Sequence, residues 1–137
     1  MIELIENTII EEFKPLQNDW EAKYKHIINI GKSLPTLDNK HKIKENLIKG
    51  CQTQVWLHAR ISDDDKIIYT ADSDAAITKG MIALIIRVLS NQLPQDIIQA
   101  DLKFIDTINL KEQLSPTRSN GLLSMIKQMK EEAQRFL

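Results

Sequence analysis

Cys51 is the single cysteine among 137 residues, and it stands between Gly50 and Gln52 in the run Lys49-Gly50-Cys51-Gln52-Thr53-Gln54-Val55-Trp56-Leu57. A thiol is a nucleophile once ionised, and an adjacent glycine frees the backbone, so a small rotation can present or withdraw the sulfur. That is what a carrier thiol requires. The competing reading is packing, since a free cysteine is among the most buried residue types and behaves as a small hydrophobe. Its neighbours here are a glycine and the polar Gln52, Thr53 and Gln54, which favours the reactive reading. A hydrolytic Cys-His pair would need a base, and His58 is the nearest histidine in sequence. On a continuous strand, however, positions 51 and 58 face opposite ways, so His58 reads as a solvent-facing strand residue.

Other chemistries lack their usual residues. The four glycines, Gly31, Gly50, Gly80 and Gly121, fit neither a nucleotide-phosphate loop nor a dinucleotide fingerprint. His26, His41 and His58 lack the paired spacing of a zinc protease, and one cysteine cannot build a thiolate-rich metal site. No nucleophile elbow surrounds a serine. We therefore expect no cofactor and no metal, with Cys51 left as the reactive group. Eighteen basic against 19 acidic side chains give no global positive field, so nucleic acid is not an expected ligand.

The composition, 42% apolar and 27% charged, is that of a soluble protein, and no apolar run has the length a membrane span needs. A lone cysteine forms no internal disulfide, in keeping with a reducing compartment. The acidic start Met1-Ile2-Glu3-Leu4-Ile5-Glu6 does not resemble a secretory signal, so the expected location is cytoplasmic. One domain over residues 1–137 suits this length.

The elements that must position Cys51 follow from periodicity. Ile2, Ile5, Ile9, Ile10 and Phe13 recur at helical spacing over residues 2–14, with Pro15 ending the helix. Asn18-Asp19 can cap a second helix with the stripe Trp20, Tyr24, Ile27 and Ile28, closed by Gly31 and Pro35. A surface loop is expected over 33–46. Val55, Leu57, Ala59 and Ile61 then alternate with Gln54, Trp56, His58 and Arg60, predicting a strand with one face in the core. A turn at 62–65 returns the chain as an antiparallel strand over 66–71. Asp72-Ser73-Asp74 offers capping oxygens for a helix from about 75 to 90, apolar nearly all round and so central and buried. Short helices are expected from Leu93 and over 104–110. A final helix starts at Ser115-Pro116 and turns Leu122, Met125, Ile126 and Met129 inward.

Capping accounts for most of the polar residues at the last two helix starts, but not for Arg118. A guanidinium in a first helical turn is opposed by the macrodipole, so a specific partner such as a carboxylate or a thiolate would explain its place.

Three segments carry a resemblance: Gly50-Cys51-Gln52-Thr53-Gln54-Val55-Trp56, Asp72-Ser73-Asp74-Ala75-Ala76-Ile77-Thr78-Lys79-Gly80 and Leu114-Ser115-Pro116-Thr117-Arg118-Ser119-Asn120-Gly121. In order and spacing they resemble the SufE family of sulfur-acceptor proteins over nearly the whole chain. Thr53 and Thr117 stand where serine is common, and both swaps keep a hydroxyl. The resemblance implies an α+β fold, with helices packed on a small antiparallel sheet, shared with IscU-type scaffolds. It implies a SufS-type cysteine desulfurase as partner, holding sulfur as a persulfide that Cys51 would accept, stimulating the enzyme. Iron-sulfur scaffold proteins would be the recipients.

The chain is then an accessory persulfide relay rather than an independent enzyme, and a monomer or weak homodimer. Gly50, Gln52, Gln54, Asp74 and Arg118 would support the loop and site, with Arg118 a candidate cation for the thiolate. Cys51 is expected to turn inward at rest and to swing out about Gly50 on docking. A regulatory module that binds the desulfurase without carrying sulfur, and a peroxide-reactive redox sensor, are the alternatives.

Overall fold

Helix α3, Ala76–Leu89, is the element around which the others are arranged, with 11 of its 14 residues buried. The computed structural model of the chain describes residues 1–35, 37–111 and 114–137. Before α3 come α1 (Ile2–Phe13), α2 (Trp20–Lys32), β1 (Val55–Ile61) and β2 (Ile67–Ser73); after it come α4 (Pro94–Gln99), α5 (Phe104–Thr107) and α6 (Pro116–Gln134). Helix α3 packs most extensively on α2, next on β2, and also on α1 and α6. The fold class is α+β, helices on a two-stranded antiparallel sheet, as the sequence predicts.

Local chemistry explains the boundaries. Pro15 does not break the chain sharply. It sits in the first turn of a short 3-10 segment, Lys14–Leu16, where a missing N–H costs nothing. Asp19 caps α2 by accepting from the Ala22 N–H at 3.1 Å. The described part of the expected 33–46 loop contains 3-10 turns at Asn39–His41 and Lys44–Asn46, with Leu37 buried as an anchor.

Gly31 does not close α2; it lies inside it, because its task is a helix crossing. A Cβ on Gly31 would stand 2.7 Å from the Gly80 backbone nitrogen, and one on Gly80 would be driven into the carbonyl of Ile27. The backbones of α2 and α3 therefore touch with no side chain between them. Two buried polar ties fasten the outer helices. Lys23, only 3% exposed, donates from Nζ to the Ile108 carbonyl at 2.8 Å, and Glu6 accepts the Phe104 N–H at 3.1 Å.

In the hairpin, Val55 pairs with Ser73 and Ile61 with Ile67. Val55 and Leu57 are buried as expected, whereas Ile61 at the far end is 40% exposed, the core position at that level being taken by Ile67 opposite it. Strand β2 extends two residues past the expected 66–71 and absorbs Asp72 and Ser73. These residues do not cap α3, whose N-cap position is Ala75 and has no side-chain cap. Pairing with β1 takes the backbone of both residues, and Ser73 Oγ donates to the Gln54 carbonyl at 2.8 Å while accepting the N–H of Ala75, just ahead of the helix, at 3.2 Å. Helix α6 is fixed to the sheet by the Tyr69 hydroxyl, which donates to the Met129 carbonyl at 2.5 Å.

Alanine at Gly80 gains helix propensity of up to about 1 kcal/mol but meets backbone that cannot give way. We expect Gly80→Ala to be destabilised by about 1–3 kcal/mol net, the range for overpacked cores, seen as a lower denaturant midpoint. An unchanged midpoint would show that the helices can part at little cost.

Candidate functional site

Cys51 lies at the tip of a loop closed at its base. The Ile48 N–H donates to the Val55 carbonyl at 2.8 Å, and Leu47 pairs with Trp56, so 49–54 bulges from the start of the hairpin. Gly50 has φ +88°, a left-handed conformation that L side chains rarely adopt, and a Cβ there would come within 2.5 Å of Ser124 Oγ on α6. The φ is what demands glycine, since a serine hydroxyl can turn aside. Thr53 Oγ1 donates to Thr78 Oγ1 of α3 at 3.3 Å, tying the loop's far side to the central helix.

Asp74 and Gln54 form the second tie. Asp74 Oδ1 accepts the Gln54 N–H at 3.2 Å and the Asp74 N–H donates back to the Gln54 carbonyl at 3.4 Å. Next to it, Asp72 takes Lys42 at 2.9 Å and Lys79 at 3.2 Å. Burial alone would raise the Asp72 pKa, but the hydrogen bonds from Lys42, the Ser73 N–H and Lys79 outweigh it and hold it below the ordinary carboxylate value. Lys42 thereby clips the 38–46 loop onto the hairpin.

The Cys51 side chain is partly buried and packs on the core, its Sγ 3.7 Å from the Gly121 carbonyl, in place to donate its S–H. The sulfur faces a cavity of about 120 Å³. The loop contributes Gln52 and Thr53 to the wall, α3 and its approach contribute Ala75, Thr78 and Met81, and α6 contributes Thr117, Arg118, Gly121 and Met125. Desolvation by burial pushes the Cys51 thiol above its ordinary value.

Among the residues expected from sequence, Cys51, Gln52 and Arg118 therefore line one cavity, 67 positions of chain separating Cys51 from Arg118. Gly50, at φ +88°, lies beside it, while Gln54 and Asp74 stand at the loop base and not on the wall. For Arg118 the structure supplies a partner other than the expected carboxylate or thiolate: Nη1 donates to the Tyr24 hydroxyl at 2.9 Å. Its backbone N–H is capped by Ser115 Oγ at 3.3 Å. His58 does not line the cavity; it stacks on His41 with ring centroids 3.8 Å apart. Desolvation, with the neighbouring charges of His41, Arg60 and Lys40 adding to it, lowers the His58 pKa.

Sequence reasoning missed Tyr24, Thr78, Ser124 and Gly121 as neighbours of the site. Only Thr78 and Gly121 carried a signal, as members of the second and third resembling segments. Among the described residues, no group of three or more His, Cys, Asp or Glu stands together so as to hold a metal ion, and no helix is long and apolar enough to cross a membrane.

The structure is thus an α+β domain with its one thiol at a loop tip, over a cavity walled by two helices. Residues 7–133 match the family described as SufE: Fe-S metabolism associated domain. The chain is 38% identical over 125 residues to SufE-like protein 1, chloroplastic/mitochondrial, of Arabidopsis thaliana; the match covers 91% of this chain and 33% of that protein. It thus spans about a third of that relative's length. The chain belongs to the SufE family, a family associated with iron-sulfur metabolism. The fold is shared with a hypothetical protein of Thermus thermophilus, solved in solution, at a TM-score of 0.78 and 18% identity over 96% of this chain and 95% of that one.

Since burial disfavours the thiolate, the folded protein holds its proton to higher pH than an exposed thiol does. Alkylation of Cys51 by iodoacetamide should then run slower than that of a free thiol at neutral pH, with a midpoint above about 8.5. A midpoint at or below the free-thiol value in the isolated protein would contradict the geometry.

Proposed function

We propose that this chain is a sulfur carrier: Cys51 accepts sulfane sulfur from the persulfide of a SufS-type, pyridoxal-phosphate-dependent cysteine desulfurase and passes it to an iron-sulfur scaffold protein. The observation that carries the reading is the placement of the one thiol. It rests partly sheltered over a cavity, at the tip of a loop that is pinned at its base and carries a left-handed glycine, Gly50, next to the sulfur residue. Membership of a family associated with iron-sulfur metabolism supports the same reading. A scaffold holds its cluster through several cysteine ligands, and one cysteine suits a carrier better. The proposed setting is the cytoplasm, where a lone thiol is kept reduced.

The transfer is an exchange at sulfur. The Cys51 thiolate attacks the outer sulfur of the donor persulfide, a new S–S bond forms on Cys51, the donor S–S bond breaks, and the donor cysteine leaves as its thiolate. The proton lost by Cys51 matches the one the donor thiolate regains, so no external oxidant or reductant enters. Burial keeps the resting thiol protonated, and rotation about Gly50 brings the sulfur to the donor.

Cys51→Ser keeps the size of the side chain and removes the nucleophile. After incubation with desulfurase and cysteine, the wild-type chain should gain about 32 Da per sulfur on Cys51, while Cys51→Ser gains none and no longer stimulates turnover. Stimulation that survives in Cys51→Ser would instead identify a regulatory module that carries no sulfur.

A further inference from the structure

Arg118 is the one charged side chain among the described residues that line the Cys51 cavity, and its placement is not left to its own helix. The N-terminal turn of α6 carries the positive end of the helix dipole, which drives a guanidinium away instead of holding it. The restraint comes from α2. Tyr24 accepts a hydrogen bond from Arg118 Nη1 at 2.9 Å, and the guanidinium carbon lies 5.8 Å from the Tyr24 ring centre. Tyr24 is itself fixed by an edge contact with Trp20, ring centres 5.9 Å apart at 76°. Tyr24 is not part of the cavity wall, so it acts on the site only through Arg118.

We propose that Tyr24 is a positioning residue whose hydroxyl holds the Arg118 guanidinium at the mouth of the Cys51 cavity, so that the site favours anionic partners at its sulfur. The chemistry needs such a group. A donor persulfide is acidic and arrives as an anion, and in the exchange negative charge spreads over the attacking, transferred and leaving sulfurs. A fixed cation at the mouth offsets that charge, and a mobile one pays orientational entropy each time. The inference rests on Cys51 as the acceptor, but its geometry can be tested without any desulfurase.

The test compares alkylation of Cys51 by iodoacetate, an anion, with alkylation by neutral iodoacetamide. Both reagents consume the same thiolate, so a change in its pKa or in loop opening alters both rates alike and leaves their ratio fixed. Tyr24→Phe keeps the ring and its contact with Trp20 and removes only the hydroxyl. We expect it to lower the iodoacetate-to-iodoacetamide ratio by about three- to tenfold, as Arg118→Gln does, this being the scale of one charge acting near a surface. The double variant should fall no further than Arg118→Gln alone.

An unchanged ratio in Tyr24→Phe, or an additive fall in the double variant, would overturn the proposal. With desulfurase and cysteine, Tyr24→Phe should slow sulfur uptake several-fold at saturating carrier, with the half-saturating concentration unchanged. A wild-type protein that keeps its preference for iodoacetate yet takes up no sulfur would sink the carrier reading and leave the positioning role standing.

Discussion

Two glycines with no side chain between them set the distance between α2 and α3, and the rest of the molecule depends on that distance. Because Gly31 meets Gly80 backbone to backbone, α3 sits deep enough to be buried along most of its length, with the sheet on one side and α2 pressed close on the other. The same approach fixes the ends of both helices. Thr78, two residues before Gly80, reaches the cysteine loop, and Tyr24, seven before Gly31, reaches Arg118 on α6. A wider crossing would loosen both connections at once.

The cysteine loop is held by many small restraints instead of one strong one. Its base is closed by backbone pairing, its far side by one hydroxyl contact and its exit by the Asp74–Gln54 exchange. Each such bond contributes on the order of 1 kcal/mol net, so the loop is ordered yet can be opened by the binding energy of a modest protein interface. Gly50 is the point where the backbone can turn without first relieving a side-chain clash. The loop is thus held at rest by weak ties alone, while the residues beneath it belong to the buried core.

Much of this was legible in the sequence, for reasons that differ by element. Residues 2–14 and the last helix announce themselves through apolar spacing, and the hairpin through alternation from Val55 onward. Gly31 misled, because a glycine near a helix end usually stops it, and only its three-dimensional neighbour reveals a crossing point. Asp72 and Ser73 misled for a related reason: their oxygens suit a cap, but an available strand partner took their backbone first. Tyr24 was legible only as one apolar position among four. Its hydroxyl bonds a residue 94 positions away, which no local pattern encodes. The buried charges of Glu6 and Lys23 were hidden likewise, each being satisfied by a single distant backbone group.

The Gly121 carbonyl has a consequence for timing. Its oxygen faces the sulfur and suits an S–H, which has a hydrogen to share. Once that hydrogen is gone, the same lone pairs confront a negative sulfur and repel it, and the seat that welcomed the neutral group becomes inhospitable. The contact thus suits the protonated sulfur, and whatever draws the proton away also removes the bond that holds the side chain in its seat.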